Sequence, residues 1–262
     1  MRKMFVLVIA MSMAALLLTA CGGDGDTTTD KAAKKATTVA ALPGYKVMAI
    51  TDGGVIKGRV TFSGAVPAKK KVEVTKDINV CGKEPHYDES MLVSDDKGLA
   101  NVVVKISNIS KGKGMDAMGE TFELDQQGCA FKPHISVVPA GAELTILNSD
   151  GILHNVHTYS EKNTSINVAQ PGFKKKMRRS FSEPEIIRIA CDVHNWMGGY
   201  IVVTDHPYYT ITDASGNFEL SDVPAGTYTL EYWQETLGKM TIEATVEADG
   251  TAEANVEYAT DS

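Results

Sequence analysis

The sequence predicts an all-β protein. Many short apolar runs are separated by Gly, Asp, Asn and Ser turn signals, several of the runs alternate apolar and polar residues, and no amphipathic helix of useful length lies among them. That combination points to β-sandwiches or barrels, and the chain is long enough for two small domains or one large one.

The N-terminal end is not part of the folded body. Met1-Arg2-Lys3 and the apolar run Met4 to Leu18 have the charge and length of a secretory signal, too short for a membrane span. The run ends in Leu18-Thr19-Ala20-Cys21, which resembles the bacterial lipobox. The resemblance implies a signal segment over 1–20, a lipidated Cys21 and a protein held at the periplasmic or outer face of the envelope. Gly22 follows where an Asp would signal inner-membrane retention, which favours the outer membrane. From there the chain is Gly, Asp, Thr, Lys and Ala with little to bury, so 21–52 reads as lipidated Cys and flexible tether.

The first strand is Gly53 to Phe62, which alternates and stops at Ser63-Gly64. Ala100 to Ile106 is the second, with a polar, irregular stretch between them. Lys111-Gly112-Lys113-Gly114 is a break. Phe122, Leu124, Phe131, Ile135, Val137 and Val138 mark short strands, Gly141 a turn, and Glu143 to Leu147 another strand. Ser165–Val168 and Arg179–Phe181 are weaker candidates. Glu185 to Ala190 runs straight into Cys191, and Tyr200 to Thr204 runs out of the following loop.

Beyond Asp205 a hairpin signature, Thr212-Asp213-Ala214-Ser215-Gly216-Asn217-Phe218, is followed by Pro224-Ala225-Gly226-Thr227-Tyr228. These elements, with Gly58-Arg59-Val60 and Ala100 to Val104 upstream, are similar to the carboxypeptidase regulatory-like family, a small transthyretin-like β-sandwich. The resemblance implies that one half of this sandwich is 53–112 and the other 206–262, with 113–205 inserted. A tandem order, with 53–205 as one decorated domain, is the plainer alternative.

Chemistry concentrates in Cys191-Asp192-Val193-His194-Asn195-Trp196-Met197, a thiol, an imidazole and a thioether in one tight loop. Soft donors so close together suggest a metal, and copper suits a set of one Cys, two His and a weak axial Met. Leu147 to His157, rich in turn residues, supplies a second imidazole, His154. The His154-Asn155 pair, followed by Cys-x-x-His and a nearby Met, resembles the cupredoxins, and the spacing from His194 to Met197 is most similar to amicyanin-type loops. The resemblance implies a Greek-key sandwich holding one mononuclear type 1 copper on His154, Cys191, His194 and Met197, with Asn155 tying the two ligand loops together. It also implies that the exposed edge of His194 is the electron exit. Asn195 stands where many relatives carry Pro. The bland readings are a buried structural Cys or half of a zinc site, but no second Cys-x-x-His pair is present.

There are four cysteines. With Cys21 assigned to lipid and Cys191 to metal, Cys81 and Cys129 remain, and in an exported protein such a pair is expected as a disulfide. The competing reading makes them extra ligands, with Cys129 near His134. His157 is expected at the surface or beside a ligand, His134 as a polar strand residue, and His86 and His206 in loops. Lys174 to Arg179 is the one dense basic run, expected as a solvated hairpin or as an attractor for an acidic partner.

A net charge of −7 argues against nucleic acid as a partner. No nucleophile elbow, acid–base motif, phosphate loop or His-x-His pair is present, so an enzyme is not expected. The expected work is one-electron transfer with a redox protein such as a cytochrome or dehydrogenase. The alternative is a copper carrier or store without a redox role.

Overall fold

A computed structural model describes residues 44–259. The expected signal segment, Cys21 and the tether as far as residue 43 lie outside them. The described residues are all-β apart from one α-turn, Ile78–Cys81, and one 3-10 turn, Met115–Met118.

Four of the sheets form two sandwiches. In the first, Val103–Ile106 lies between Tyr209–Ile211 and Gly226–Gln234, with Gly238–Val246 at the edge. Its facing sheet centres on Gly54–Phe62, antiparallel to Asn217–Val223 and parallel to Thr251–Glu253 and Val256–Tyr258. Both early strands thus take their partners from beyond residue 208. The chain between forms the second sandwich.

Alternation explains the packing. Along Gly54–Phe62, Ile56, Val60 and Phe62 point into the core while Lys57 is exposed. Tyr228, Leu230 and Tyr232 do the same from the strand opposite, and each fully buried large side chain contributes roughly 1.5–3 kcal/mol. The buried hydroxyls are satisfied, Tyr232 donating to Ala254 O at 2.8 Å and Tyr228 to Pro224 O at 2.9 Å.

The second sandwich pairs the sheet Lys176–Arg179, Leu144–Asn148, Phe122–Gln126, Phe131–Lys132 with the sheet Asn167–Gln170, His154–Tyr159, Glu185–Ala190, Gly198–Thr204, Ile135–Pro139. Leu124, Leu144, Ile146, Val156, Ile187, Ile189 and Ile201 fill the space between. The two sandwiches meet over Val103, Ile135 and Val202, flanked by Tyr200 and Trp233, whose rings pack edge to face at 4.9 Å.

The structure differs from the sequence reading in several places. Gly238–Val246, Thr251–Glu253 and Val256–Tyr258 are strands beyond those expected. Residues 44–52, expected as tether, dock: Lys46–Val47 pairs with Lys111–Gly112, and the Tyr45 hydroxyl donates to Lys113 O at 2.8 Å. Tyr45 is the aromatic anchor of this docked segment. His206 lies in the loop between Gly198–Thr204 and Tyr209–Ile211, as expected, and is buried there among Tyr45, Tyr208 and Tyr209, whereas His86 stands in the short strand His86–Tyr87 and not in a loop. Burial pushes the pKa of His206 down to about 4, against the pull of Asp205.

One acidic side chain organises a turn of the sheet that carries His154. Glu185 accepts from the Ser160 hydroxyl at 2.5 Å, the Glu161 amide at 2.5 Å and the Asn163 side-chain amide at 3.0 Å. Its slight burial would raise its pKa, but these donors hold it down at about 2. A depressed carboxyl stabilises the fold above its unfolded value of about 4.3 and loses that contribution as pH falls toward the folded value. Glu185→Gln is expected to cost roughly 1 kcal/mol at pH 7 after solvent screening, and to flatten the fall in stability between pH 4.5 and 2 in urea unfolding.

Candidate metal centre

Cys191 to Met197 closes the hairpin between Glu185–Ala190 and Gly198–Thr204, whose end residues Ala190 and Gly198 face each other. The Met197 amide donates to His194 O at 2.9 Å and the Cys191 amide to Met197 O at 3.1 Å, so the loop is cross-tied by its own backbone. His154 opens the neighbouring strand, His154–Tyr159, which pairs with the strand leading to Cys191. It stands at a strand end rather than within a loop. The preceding turn is pinned by Asn148, whose side-chain amide donates to Ile152 O at 2.8 Å and Gln170 O at 2.9 Å, and it needs the positive φ of 75° at Gly151. Gly172 passes backbone against backbone there; a Cβ on it would meet Gly151 O at 2.0 Å.

These elements bring His154, Cys191 and His194 together, with donor atoms within 4.8 Å of one another. Both imidazoles are 0% exposed. Their Nδ1 atoms face each other at 3.0 Å, and Cys191 Sγ lies 3.8 Å from Nδ1 of His194. Met197 is buried in the same loop.

Each ring turns its other nitrogen to a carboxylate. Nε2 of His154 lies 2.9 Å from Asp150 Oδ2, and Nε2 of His194 lies 2.9 Å from Asp77 Oδ2. A carboxylate only accepts, so both Nε2 atoms carry hydrogen and both Nδ1 lone pairs are aimed inward, toward each other and the sulfur. Two such lone pairs at contact repel unless a proton or a cation sits between them. The charge balance agrees. Burial lowers the affinity of His154 for a proton, but Asp150 and Cys191 raise its pKa to about 9. His194 is pushed down by burial and by the neighbouring His154 despite Asp77. Burial raises the Cys191 thiol, but His154 and the amides of Asn155, His194 and Val193 bring it below the ordinary thiol value. The pocket is therefore arranged around one positive charge.

Asn155 lies between the segments that carry His154 and Cys191. Its Oδ1 accepts from the Asp192 amide at 2.6 Å and its Nδ2 donates to Asn167 Oδ1 at 2.7 Å. His157 is half-exposed, 3.1 Å from Asp192. His134 precedes the strand Ile135–Pro139 and is ion-paired to Glu235 at 2.5 Å. Part of the basic run, Lys176–Arg179, is an edge strand.

The structure departs from the resemblance at His194. Its edge, expected to be exposed, is covered by Asp77 at the start of Ile78–Cys81. That turn belongs to the irregular stretch inside the first sandwich and is fastened by the Cys81–Cys129 disulfide. Asp150 and Asp77 were not singled out in the sequence. Asp150, four residues before His154, carried a local signal; Asp77, 117 residues from His194, carried none.

A family model described as polysaccharide lyase family 4, domain II, matches residues 182–254. The match runs from the strand before Cys191 into the first sandwich, and it is this model, not a carboxypeptidase regulatory-like one, that matches those strands. No curated protein matches the chain. Among solved structures, similarity is found to a Cu-containing nitrite reductase from Thermus scotoductus SA-01, 19% identical over 32% of this chain and 22% of that one, with a TM-score of 0.30. A purple cupredoxin from Nitrosopumilus maritimus is 18% identical over 31% of this chain and 98% of its own, with a TM-score of 0.27. A Cu(I) amicyanin variant is 19% identical over 32% of this chain and 82% of its own, with a TM-score of 0.29. The chain thus spans about a fifth of the length of the nitrite reductase it is similar to.

Proposed function

We propose that the protein binds one copper ion through His154, Cys191, His194 and Met197 and serves in one-electron transfer. The observation that carries this reading is the pair of buried Nδ1 atoms facing each other at 3.0 Å beside a buried thiol, a donor set matching copper's preference for imidazole and thiolate together. When bound, copper would supply a centre that exchanges one electron between two oxidation states.

The chain's own residues do the rest. Asp150 and Asp77 fix the ring tautomers so that Nδ1 is the free donor on each side. Asn155 holds the Cys191 loop against the strand of His154. The apolar core beneath, including Ile187, Ile189 and Val156, keeps water from the sulfur. Ligands on strand ends and a cross-tied hairpin rearrange little between charge states, which favours fast electron exchange. Anchorage to the bacterial envelope through Cys21 and a redox protein as partner complete the proposal; no catalytic role is assigned.

A second reading, a copper carrier or store, is favoured by one observation: the covered edge of His194, which shields the centre from a partner. The visible spectrum separates the two. An electron carrier is expected to take up one copper per chain and show an intense thiolate-to-copper band, and Cys191→Ser is expected to abolish the band. Copper uptake with no such band would favour the carrier; no uptake would end both.

A further inference from the structure

The stretch covering His194 is tied at its ends, where Gly64 O accepts from Lys97, Glu89 pairs with His134 and Ser90 O accepts from Gln234 and Thr236, but its middle, around Asp77, is held mainly by one cystine. Across 63–90 the only buried residue is Cys81; Val74 and Val80 are half-buried against the second core, and the other side chains are exposed or half-exposed. The stretch pairs with itself through the two-residue ladder of Lys71–Val72 and His86–Tyr87. Its contacts with the metal centre are Asp77 Oδ2 to His194 Nε2 at 2.9 Å and the Cys81–Cys129 disulfide. Around the disulfide, His86 Nε2 lies 2.8 Å from Cys81 O, and Trp196, from the ligand loop, donates to Cys129 O at 3.1 Å. A segment with so little buried apolar surface has little local stability once its cross-link is gone.

We propose that the Cys81–Cys129 disulfide is a redox latch: its reduction by a dithiol releases the strap carrying Asp77 and opens the His194 side of the centre to exchange of its ion. In the reaction the dithiol gives two electrons and two protons, the Sγ–Sγ bond breaks, Cys81 and Cys129 become thiols, and the dithiol is left as a disulfide. The release of the strap depends only on the packing described here; the exchange of copper rests on the proposed copper function. Asp77 is 39% exposed, so water already reaches the outer side of its carboxylate and its bond to His194 alone is a weak hold.

The test uses the full chain in three forms: disulfide intact; reduced with a dithiol and freed of it anaerobically; and the Cys81→Ser/Cys129→Ser variant. Hydrogen exchange is followed on metal-free protein at the amides of Val80, Cys81 and Gly82, which bond to Asp77 O and Ile78 O. Exchange at least tenfold faster in the two opened forms is expected, with the amides of Ile187 and Ile201 unchanged. Equal rates at Val80–Gly82 overturn the latch, and acceleration at Ile187 and Ile201 to the same extent overturns it too, by making the disulfide a brace for the whole sandwich. In parallel, Cu(I) loaded with ascorbate, which leaves the disulfide intact, is withdrawn by a Cu(I) chelator. At least tenfold faster release from the opened forms is expected, and equal release overturns the gating. Should the intact chain take up no copper, the copper function fails, while the amide rates still decide the latch. If the double variant does not fold, the reduced wild type decides.

Discussion

Asp150→Ala is expected to lower the stability of the metal-free protein by about 3–5 kcal/mol at pH 7 and to weaken copper binding by about 10–100-fold. The side chain is 7% exposed and accepts three times: from His154 Nε2 at 2.9 Å, the Cys129 amide at 2.8 Å and the Gly128 amide at 2.6 Å. Burial alone would raise its pKa, but His154 and these amides hold it below the ordinary carboxyl value. Truncation leaves His154 Nε2 and the Cys129 amide, both shielded from solvent, without an acceptor at about 1–3 kcal/mol each, while the exposed Gly128 amide can turn to water; losing the charge beside His154 adds to this. It also removes what fixes the His154 tautomer, and a ring free to place hydrogen on Nδ1 no longer offers that atom inward. Asp150→Asn, which keeps an acceptor but loses the charge, is expected to fall between. Urea unfolding of metal-free protein and competition with a copper chelator read the two effects separately; an Ala variant within 1 kcal/mol of wild type would show that the carboxylate does not brace the turn.

The sequence exposed the parts of this molecule that rest on local patterns. Alternation marks Gly54–Phe62, and the β-branched residues of Glu185–Ala190 mark the strand that runs straight into Cys191. Leftover cysteines pointed to Cys81–Cys129, which is formed. Gly238–Val246 carries the same alternation, Met240, Ile242, Ala244 and Val246 set against Lys239, Thr241, Glu243 and Thr245, so this strand was legible and is one the sequence reading omits. The candidate ligands were legible because three of them share one loop. Their carboxylate partners were less so, because an Asp in a turn reads as a turn residue whatever it faces. Asp77 lay beyond reach: it meets His194 only because an irregular stretch of the first sandwich crosses onto the second, and no periodicity encodes that crossing.

That meeting of sandwiches underlies a pH dependence opposite in sign to that of Glu185. His134 is 10% exposed, with Nε2 2.5 Å from Glu235 Oε1 and Nδ1 3.5 Å from Glu89 Oε2. Burial would lower its pKa, but Glu235 and Glu89 overcome it and raise it to about 9. His134 belongs to the second sandwich, Glu235 to the turn between Gly226–Gln234 and Gly238–Val246 of the first, and Glu89 to the strap. A histidine raised above its unfolded value of about 6.5 stabilises fully below that value and loses its contribution as pH rises through its folded value. The interval corresponds to about 3 kcal/mol, so stability is expected to fall by roughly that amount between pH 6.5 and 9.5, once other titrations common to variant and wild type are subtracted. Glu235→Gln is expected to bring the His134 titration, followed by NMR, back toward neutrality, and to cost about 2–3 kcal/mol at pH 6 but little at pH 10. A loss independent of pH would mean that Glu235 acts through packing alone. A cleft of about 640 Å³ is lined by His134, Glu235, Trp196 and Met197, so deprotonating His134 is expected to loosen one wall of the space beside the Cys191–Met197 loop. Copper release is therefore expected to quicken above pH 9 in wild type and to show no such step in Glu235→Gln.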